Sequence, residues 1–334
     1  MAKQKTNEII VSGYLKENNL EVISSNDKGD YIRGSLVIAV SDTNSLRVQF
    51  NVHDTTFDGS ESKDYKNLLE LLPEKAVSIA SYLQDNPGSD YEDAKRAAAM
   101  VWARGVFDEY TRFDDDKKEI TSVQLRGYSA GYKKEAVEDY KPHADFTARV
   151  YISKLDDEVN EEGNPTGRVI LTGLLPKSDQ SVVKLDFVAP AEDGVAEYIK
   201  KNYTVNGTVV LYGDLTSSIE IHEGEDGGMK TFGRVHKQTY TKIINERIIT
   251  GGSSVCLTSD MDGAIKASEI KLGLAKRLEK IEMNSTRTPS KGGDSGRGSG
   301  PAAKARTGFG TTKKGFSPVV SVPDIDDSDD DVAF

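Results

Sequence analysis

The strongest constraint on the fold is that the chain reads the same order of elements twice. The stretch GYLKENNLEV, Gly13–Val22, has a counterpart in VYISKLDDEV, Val150–Val159. RGSLVIAVSDTNSLRVQFNV from Arg33 is matched by TGRVILTGLLPKSDQSVVKLDFV from Thr166, in both cases an alternating run, a short polar turn and a second alternating run. Each copy then carries a helical pattern. It is long in the first (YKNLLELLPEKAVSIASYL and YEDAKRAAAMV) and short in the second (AEDGVAEYIKKNY). After it, VWARGVF from Val101 matches VVLYGDL from Val209, setting Gly105 on Gly213, and TSVQLRGYSAG from Thr121 matches TKIINERIITGG from Thr241. Self-similarity on this scale means two copies of one structural unit. Three strands, a helix and two more strands is the order of an OB-fold barrel. The expected fold is mainly β: tandem OB-fold barrels with helical inserts, then a C-terminal helix and a disordered tail.

Boundaries follow from pattern and composition. The first barrel is expected over residues 1–135, with its helical insert at 62–101, and the second over 143–252. In SDMDGAIKASEIKLGLAKRLEKIE the residues Ile270, Leu274, Leu278 and Ile281 share one helical face. This predicts a helix over 259–283 with Ser259 or Asp260 as its cap. Residues 284–323 are rich in Gly, Ser, Lys and Pro and lack the apolar surface to offset their ordering entropy, so they read as a disordered linker. Residues 324–334 form an acidic tip.

Strand alternation separates core from surface. In the third strands, Val48, Phe50 and Val52 match Val183, Leu185 and Phe187 and are expected inside, which makes Phe50 and Phe187 packing residues. The opposite parity, with Arg47, Gln49 and Asn51 in one copy and Lys184 and Asp186 in the other, is expected on the outer wall.

Little in the sequence supports catalysis. The four histidines, His53, His143, His222 and His236, show no helical metal-pair spacing, and one cysteine, Cys256, excludes an internal disulfide or a multi-cysteine zinc site. There is no phosphate-loop or nucleophile-elbow motif. The acidic cluster FDDDKKE at Phe113–Glu119 falls where the repeat needs a hairpin turn. The expectation is a non-enzyme with no metal and no cofactor. No apolar run is long enough to span a membrane, and the N-terminus lacks a secretory signal pattern. A cytoplasmic location is expected.

Charge is segregated along the chain. The formal net charge is −11, yet residues 284–323 carry +6 and the last eleven residues −6, so the first 283 hold the whole −11. Any anion-binding surface there must be a local patch. A barrel that holds single-stranded DNA needs outward aromatic rings for base stacking, about 1–3 kcal/mol per base, with Lys and Arg beside them for phosphates. Parity nominates Tyr14 and Tyr151 in the first strands, Trp102, Arg104 and Tyr212 in the fourth, and Arg126 and Tyr128 in the fifth. Arg33 and Arg168 near the start of the second strands, and Arg47 and Lys184 in the third, add cations. The segment MKTFGRVHKQTYTKIINER adds Phe232, Arg234, Lys237, Tyr240 and Lys242, a basic run with interleaved aromatics in an otherwise acidic unit.

The chain ends PDIDDSDDDVAF. Behind a Gly-rich linker, an acidic run closing on a terminal Phe resembles the C-terminal tip of bacterial and bacteriophage single-stranded-DNA-binding proteins. This sequence has Val-Ala-Phe where the bacterial tip usually has Ile-Pro-Phe, and two barrels in one chain where the bacterial core has one, which looks more like a bacteriophage version. The resemblance implies a protein that coats single-stranded DNA without sequence preference in replication, recombination and repair. It further implies that Asp329, Asp330, Asp331, Val332 and Phe334 dock on replication or recombination proteins of the polymerase, helicase or primase class. The rival reading is an OB-type protein–protein adapter or virion-assembly protein that binds no nucleic acid.

Overall fold

A computed structural model describes residues 7–25, 29–113, 119–133, 141–160, 162–224, 238–258 and 261–286. The first unit contains β1 (Asn7–Asn18), β2 (Glu21–Ser25), β3 (Gly29–Ala39), β4 (Ser45–His53), α1 (Lys63–Leu69), α2 (Ile79–Asp85), α3 (Tyr91–Ala97), β5 (Met100–Phe113) and β6 (Glu119–Tyr132). The second contains β7 (His143–Val159), β8 (Pro165–Pro176), β9 (Val182–Ala189), α4 (Val195–Asn202), β10 (Thr208–Gly224) and β11 (Gln238–Gly252), and α5 (Ala267–Thr286) follows.

Strand pairing closes both units. In the first, β1 pairs β3, β3 pairs β4, β4 lies parallel to β6, β6 pairs β5 and β5 returns to β1. The second repeats this order through β7, β8, β9, β11 and β10, again with one parallel contact, β9 with β11. These are two OB-fold barrels. Each has its helix between the third and fourth strands: Leu68 of α1 and Ile199 of α4 are buried in the shared core.

The barrels are joined edge to edge by antiparallel pairing of β1 with β7. Ile9 pairs with Gly105 inside the first barrel and Phe146 with Gly213 inside the second, and Ile9 and Phe146 pair with each other across the junction. Repeat-equivalent residues therefore meet, which is the signature of a local two-fold axis. The loops between second and third strands cross over in the same sense. Asn44 binds the backbone of β10 at Leu215 O (3.1 Å) and Ser217 N (2.9 Å), while Lys177 binds Asp108 of β5. Phe107, Phe146 and Phe187 pack with centroids 5.4–6.5 Å apart and merge the two cores.

Both barrels bulge at the same place. Between Arg104 and Gly105 the partner strand carries one extra residue, Tyr128, and between Tyr212 and Gly213 it carries Thr250. A Cβ at either Gly105 or Gly213 would overlap a carbonyl oxygen of that partner strand, Arg126 or Ile248, so glycine is required by close approach.

This register keeps the match of Gly105 with Gly213 and shifts two others. Gln49 faces Arg126 and Val188 faces Ile248, so Val48 corresponds to Phe187, not to Val183. The slip is four residues, an even number, so side-chain parity survives: Val48, Phe50, Val183, Leu185 and Phe187 are all buried, and Val52 is partly buried against them. In the last strand Thr121 corresponds to residue 243 rather than Thr241. Arg247 then falls on the position of Leu125, and both face inward.

The C-terminal helix also differs from the expectation. It begins at Ala267, because Gly263 sits at φ +84°, a left-handed conformation that no α-helix can pass through. It buries Ile270 and Ile281 but exposes Leu274 and Leu278, because its contact line against β8, β9 and β5 runs through Gly273 and Arg277. Gly273 lies against Val182, and Arg277 forms a two-oxygen ion pair with Glu109 of β5 (2.7–3.0 Å). The helix runs on to Thr286, three residues into the linker expected at 284–323; the rest of that linker and the acidic tip, with Asp329, Asp330, Asp331, Val332 and Phe334, lie outside the described residues.

Candidate nucleic-acid interface

The outer wall of the first barrel gathers most of the nominated cations. On β3 and β4, Arg33 stands opposite Asn51, and Arg47 opposite Val37. Through the parallel contact Gln49 lies beside Arg126 of β6, and β5 next to it carries Arg104 and Trp102. Arg33, Arg47, Arg104 and Arg126 are exposed, and so is Tyr128 at 41%. The alternation that buries Leu46, Val48 and Phe50 turns Arg47, Gln49 and Asn51 outward.

These cations differ in their engagement. Arg47 meets Glu17 at 3.4 Å and Arg126 meets Asp108 at 3.4 Å. Neither Arg33 nor Arg104 has a carboxylate partner among the described residues. The Arg104 guanidinium instead lies over the Trp102 ring, 5.6 Å from its centroid. Trp102 is half-buried and its ring lies flat against Gly131. The Tyr128 hydroxyl reaches across β5 to Glu8 at 3.3 Å.

The second barrel is less basic. The place of Arg47 is taken by Asp186, which accepts a hydrogen bond from Thr172 at 2.5 Å. Arg168 is only half exposed and is held between Glu158 (3.3 Å) and Glu246. Lys184 is exposed with no acidic partner among the described residues. Tyr212 is 46% exposed, its ring lies on Gly251, and its hydroxyl donates to Gly252 O at 3.1 Å. Beside it Asp214 pairs with Asp145 across β10 and β7. Burial, and then the Asp145 charge, raise the Asp214 pKa above the usual carboxylate value. This acidic saddle between the barrels opposes phosphate, and sequence reading missed it because Asp145 and Asp214 become neighbours only through strand pairing.

Two nominated aromatics lie on the outward parity of their strands but are covered by other elements. Tyr151 is only 7% exposed: its ring packs with Leu174, Val182, Ile265 and Ile270, and its hydroxyl donates to Asn206 at 2.9 Å. Its equivalent, Tyr14, packs against the helical insert around Ile79 and Ala94, with Lys95 5.8 Å from its ring centroid. Both rings point outward from their barrels, as alternation requires, but elements distant in sequence lie over them. Phe232, Arg234 and Lys237 lie outside the described residues. So do the side chains of Tyr240 and Lys242, whose backbones pair with His222 and Glu220.

Two closed five-stranded barrels with an outward basic and aromatic wall define a tandem OB-fold protein. The chain belongs to the YorF family, whose model matches residues 5–284. No curated protein matches it. Among solved structures it is similar to a deletion mutant of the single-stranded DNA binding protein from Thermus aquaticus, at 10% identity and a TM-score of 0.42, covering 77% of this chain and 97% of that one. The wild-type Thermus aquaticus protein gives 12% identity and 0.40 over 74% and 92%. A mitochondrial single-stranded DNA binding protein from S. cerevisiae gives 12% and 0.24 over 40% and 100%. Among the described residues no group of His, Cys, Asp and Glu could hold a metal, and no helix is long and apolar enough to cross a membrane.

Proposed function

We propose that this protein binds single-stranded DNA along the outer wall of its first barrel, with little dependence on sequence. The observation that carries this reading is the row Arg33, Arg47, Arg126 and Arg104, with Trp102 and Tyr128 among them, on one barrel wall of a chain whose net charge is −11. Such a wall offers phosphates four guanidiniums and offers unpaired bases two rings. Arg33 and Arg104 are the stronger phosphate candidates, since they need not first leave a carboxylate. Tyr212 and Lys184 extend the surface onto the second barrel.

In this reading the protein coats exposed strands during replication, recombination or repair. The tip from Asp324 to Phe334 recruits partner proteins, its ring filling an apolar pocket while its carboxylates meet basic residues around it. The test is titration with oligo-dT, read by the fluorescence of Trp102, the only tryptophan. Saturable quenching is expected, with a log–log salt slope of about −3 for four phosphates at about −0.7 each. Little affinity for duplex of the same length is expected. No quenching, or binding indifferent to salt, would sink the proposal and favour the protein–protein adapter.

A further inference from the structure

The two-fold relation between the barrels exposes one difference that the DNA-binding reading does not use. In the first barrel Trp102 of β5 pairs with Ser12 of β1 and with Gly131 of β6; its ring lies against Gly131, and Ser12 is fully buried. The bulge register makes Val210, Arg149 and Ser253 the counterparts of Trp102, Ser12 and Gly131. The second barrel therefore has a small side chain where the first has an indole. At that place there is an open cleft of 430 Å³, whose lining includes Arg149, Val210, Ser253, Val255, Leu257 and Asp262. Arg149 is half-buried and has no acidic partner among the described residues; it also borders a 310 Å³ hollow that Glu269 lines. Tyr212 stands two residues from Val210 on the same strand face.

We infer that this cleft is a purine subsite for the bound strand, an inference that rests on the single-stranded-DNA reading. An indole and a purine are fused bicyclic rings of nearly the same shape, so a space that an indole fills in one repeat fits a purine in the other. The volume lies within the about 300–1,000 Å³ usual for small-molecule sites. Val210, Val255 and Leu257 supply the apolar surface a base face needs, and the Arg149 guanidinium can lie on a base or meet its phosphate. A pyrimidine would leave part of the cleft unfilled. The consequence is a modest purine bias at one position of an otherwise sequence-tolerant path, of the kind that stacking produces.

The test uses the full chain and two variants that copy the first barrel, Val210→Trp and Arg149→Ser. Deoxyadenosine monophosphate is titrated and amide chemical shifts are followed at Val210, Ser253, Ser254 and Val255. Saturable shifts are expected, with thymidine monophosphate binding about tenfold more weakly, as expected from loss of about 1.4 kcal/mol of stacking. Val210→Trp should abolish the response and Arg149→Ser should weaken it about tenfold. Equal responses to the two nucleotides, no saturable response, or a response kept in both variants overturns the inference. If Val210→Trp does not fold, the Arg149→Ser titration decides alone. Oligo-dT binding to the unmodified chain separates the two levels: if it persists while the cleft stays silent, only the subsite is refuted, and if it is absent the DNA-binding reading fails.

Discussion

Arg247 occupies a core position that its repeat partner fills with Leu125, and replacing it by Met is expected to stabilise the protein. Arg247 is 1% exposed, and its Nη1 has no hydrogen-bond partner among the described residues. Its Nε donates to Asp186 O at 2.5 Å, and its guanidinium lies 6.0 Å from the Phe107 ring centroid and 5.8 Å from that of Phe187. Removing the ion from water costs several kcal/mol even after relaxation. Against that stand two cation–π contacts of about 0.5–2 kcal/mol each and one charged hydrogen bond of about 1.5–3 kcal/mol. Met keeps the unbranched stem and sets a polarizable sulfur among the rings, so Arg247→Met should gain about 1–3 kcal/mol. Urea unfolding followed by Trp102 fluorescence should show a higher midpoint at unchanged slope.

The pH dependence supplies a second check. Burial pulls the Arg247 pKa down to about 9, with Asp186 and Glu246 opposing the shift. Above that pH the unfolded chain holds a proton that the folded chain has released. Wild-type stability relative to Arg247→Met should then rise by up to about 1.4 kcal/mol per pH unit, and stay level below pH 9. A variant that unfolds at lower urea, or a gap that does not narrow above pH 9, would refute the reasoning, because the ion would then be a net contributor to stability.

Three further outcomes follow from other parts of the molecule. Tyr151→Phe should cost about 1 kcal/mol through the lost bond to Asn206 and leave oligo-dT affinity unchanged, since the ring is covered; a large affinity loss would put Tyr151 back on the binding surface. Asp214 has a raised pKa, so the folded state takes up its proton more readily than the unfolded chain, and stability falls as pH rises through that pKa. Asp214→Asn should therefore be more stable than wild type at neutral pH, with the difference vanishing in acid, and should bind oligo-dT a few-fold more tightly. Deleting residues 324–334 should leave DNA binding intact or tighter while abolishing capture of replication or recombination proteins, and weakened DNA binding would contradict it.

The sequence by itself determined the repeat, and the repeat determined the barrels. Period-two alternation is a local property of each strand, so it assigned Val48, Phe50, Leu185 and Phe187 to the interior and Arg47 and Lys184 to the exterior even where the alignment between copies had slipped by four residues. An even slip preserves parity, which is why the core was legible and the register was not. Gly105 and Gly213 were matched correctly because close backbone approach at the bulge admits only glycine. What lies over an outward-facing ring is set by segments far away in the chain. The Ile265–Ile270 segment buries Tyr151 and the insert covers part of Tyr14, and no local pattern carries that information. Pairing of β7 with β10 likewise decided the acidic saddle at Asp145 and Asp214, and the registers of β1 with β5 and β7 with β10 decided the equivalence that sets Trp102 against an open cleft at Val210. Which outward residues can meet a ligand was therefore a tertiary decision, because exposure depends on what packs above a strand as well as on which way its side chains point.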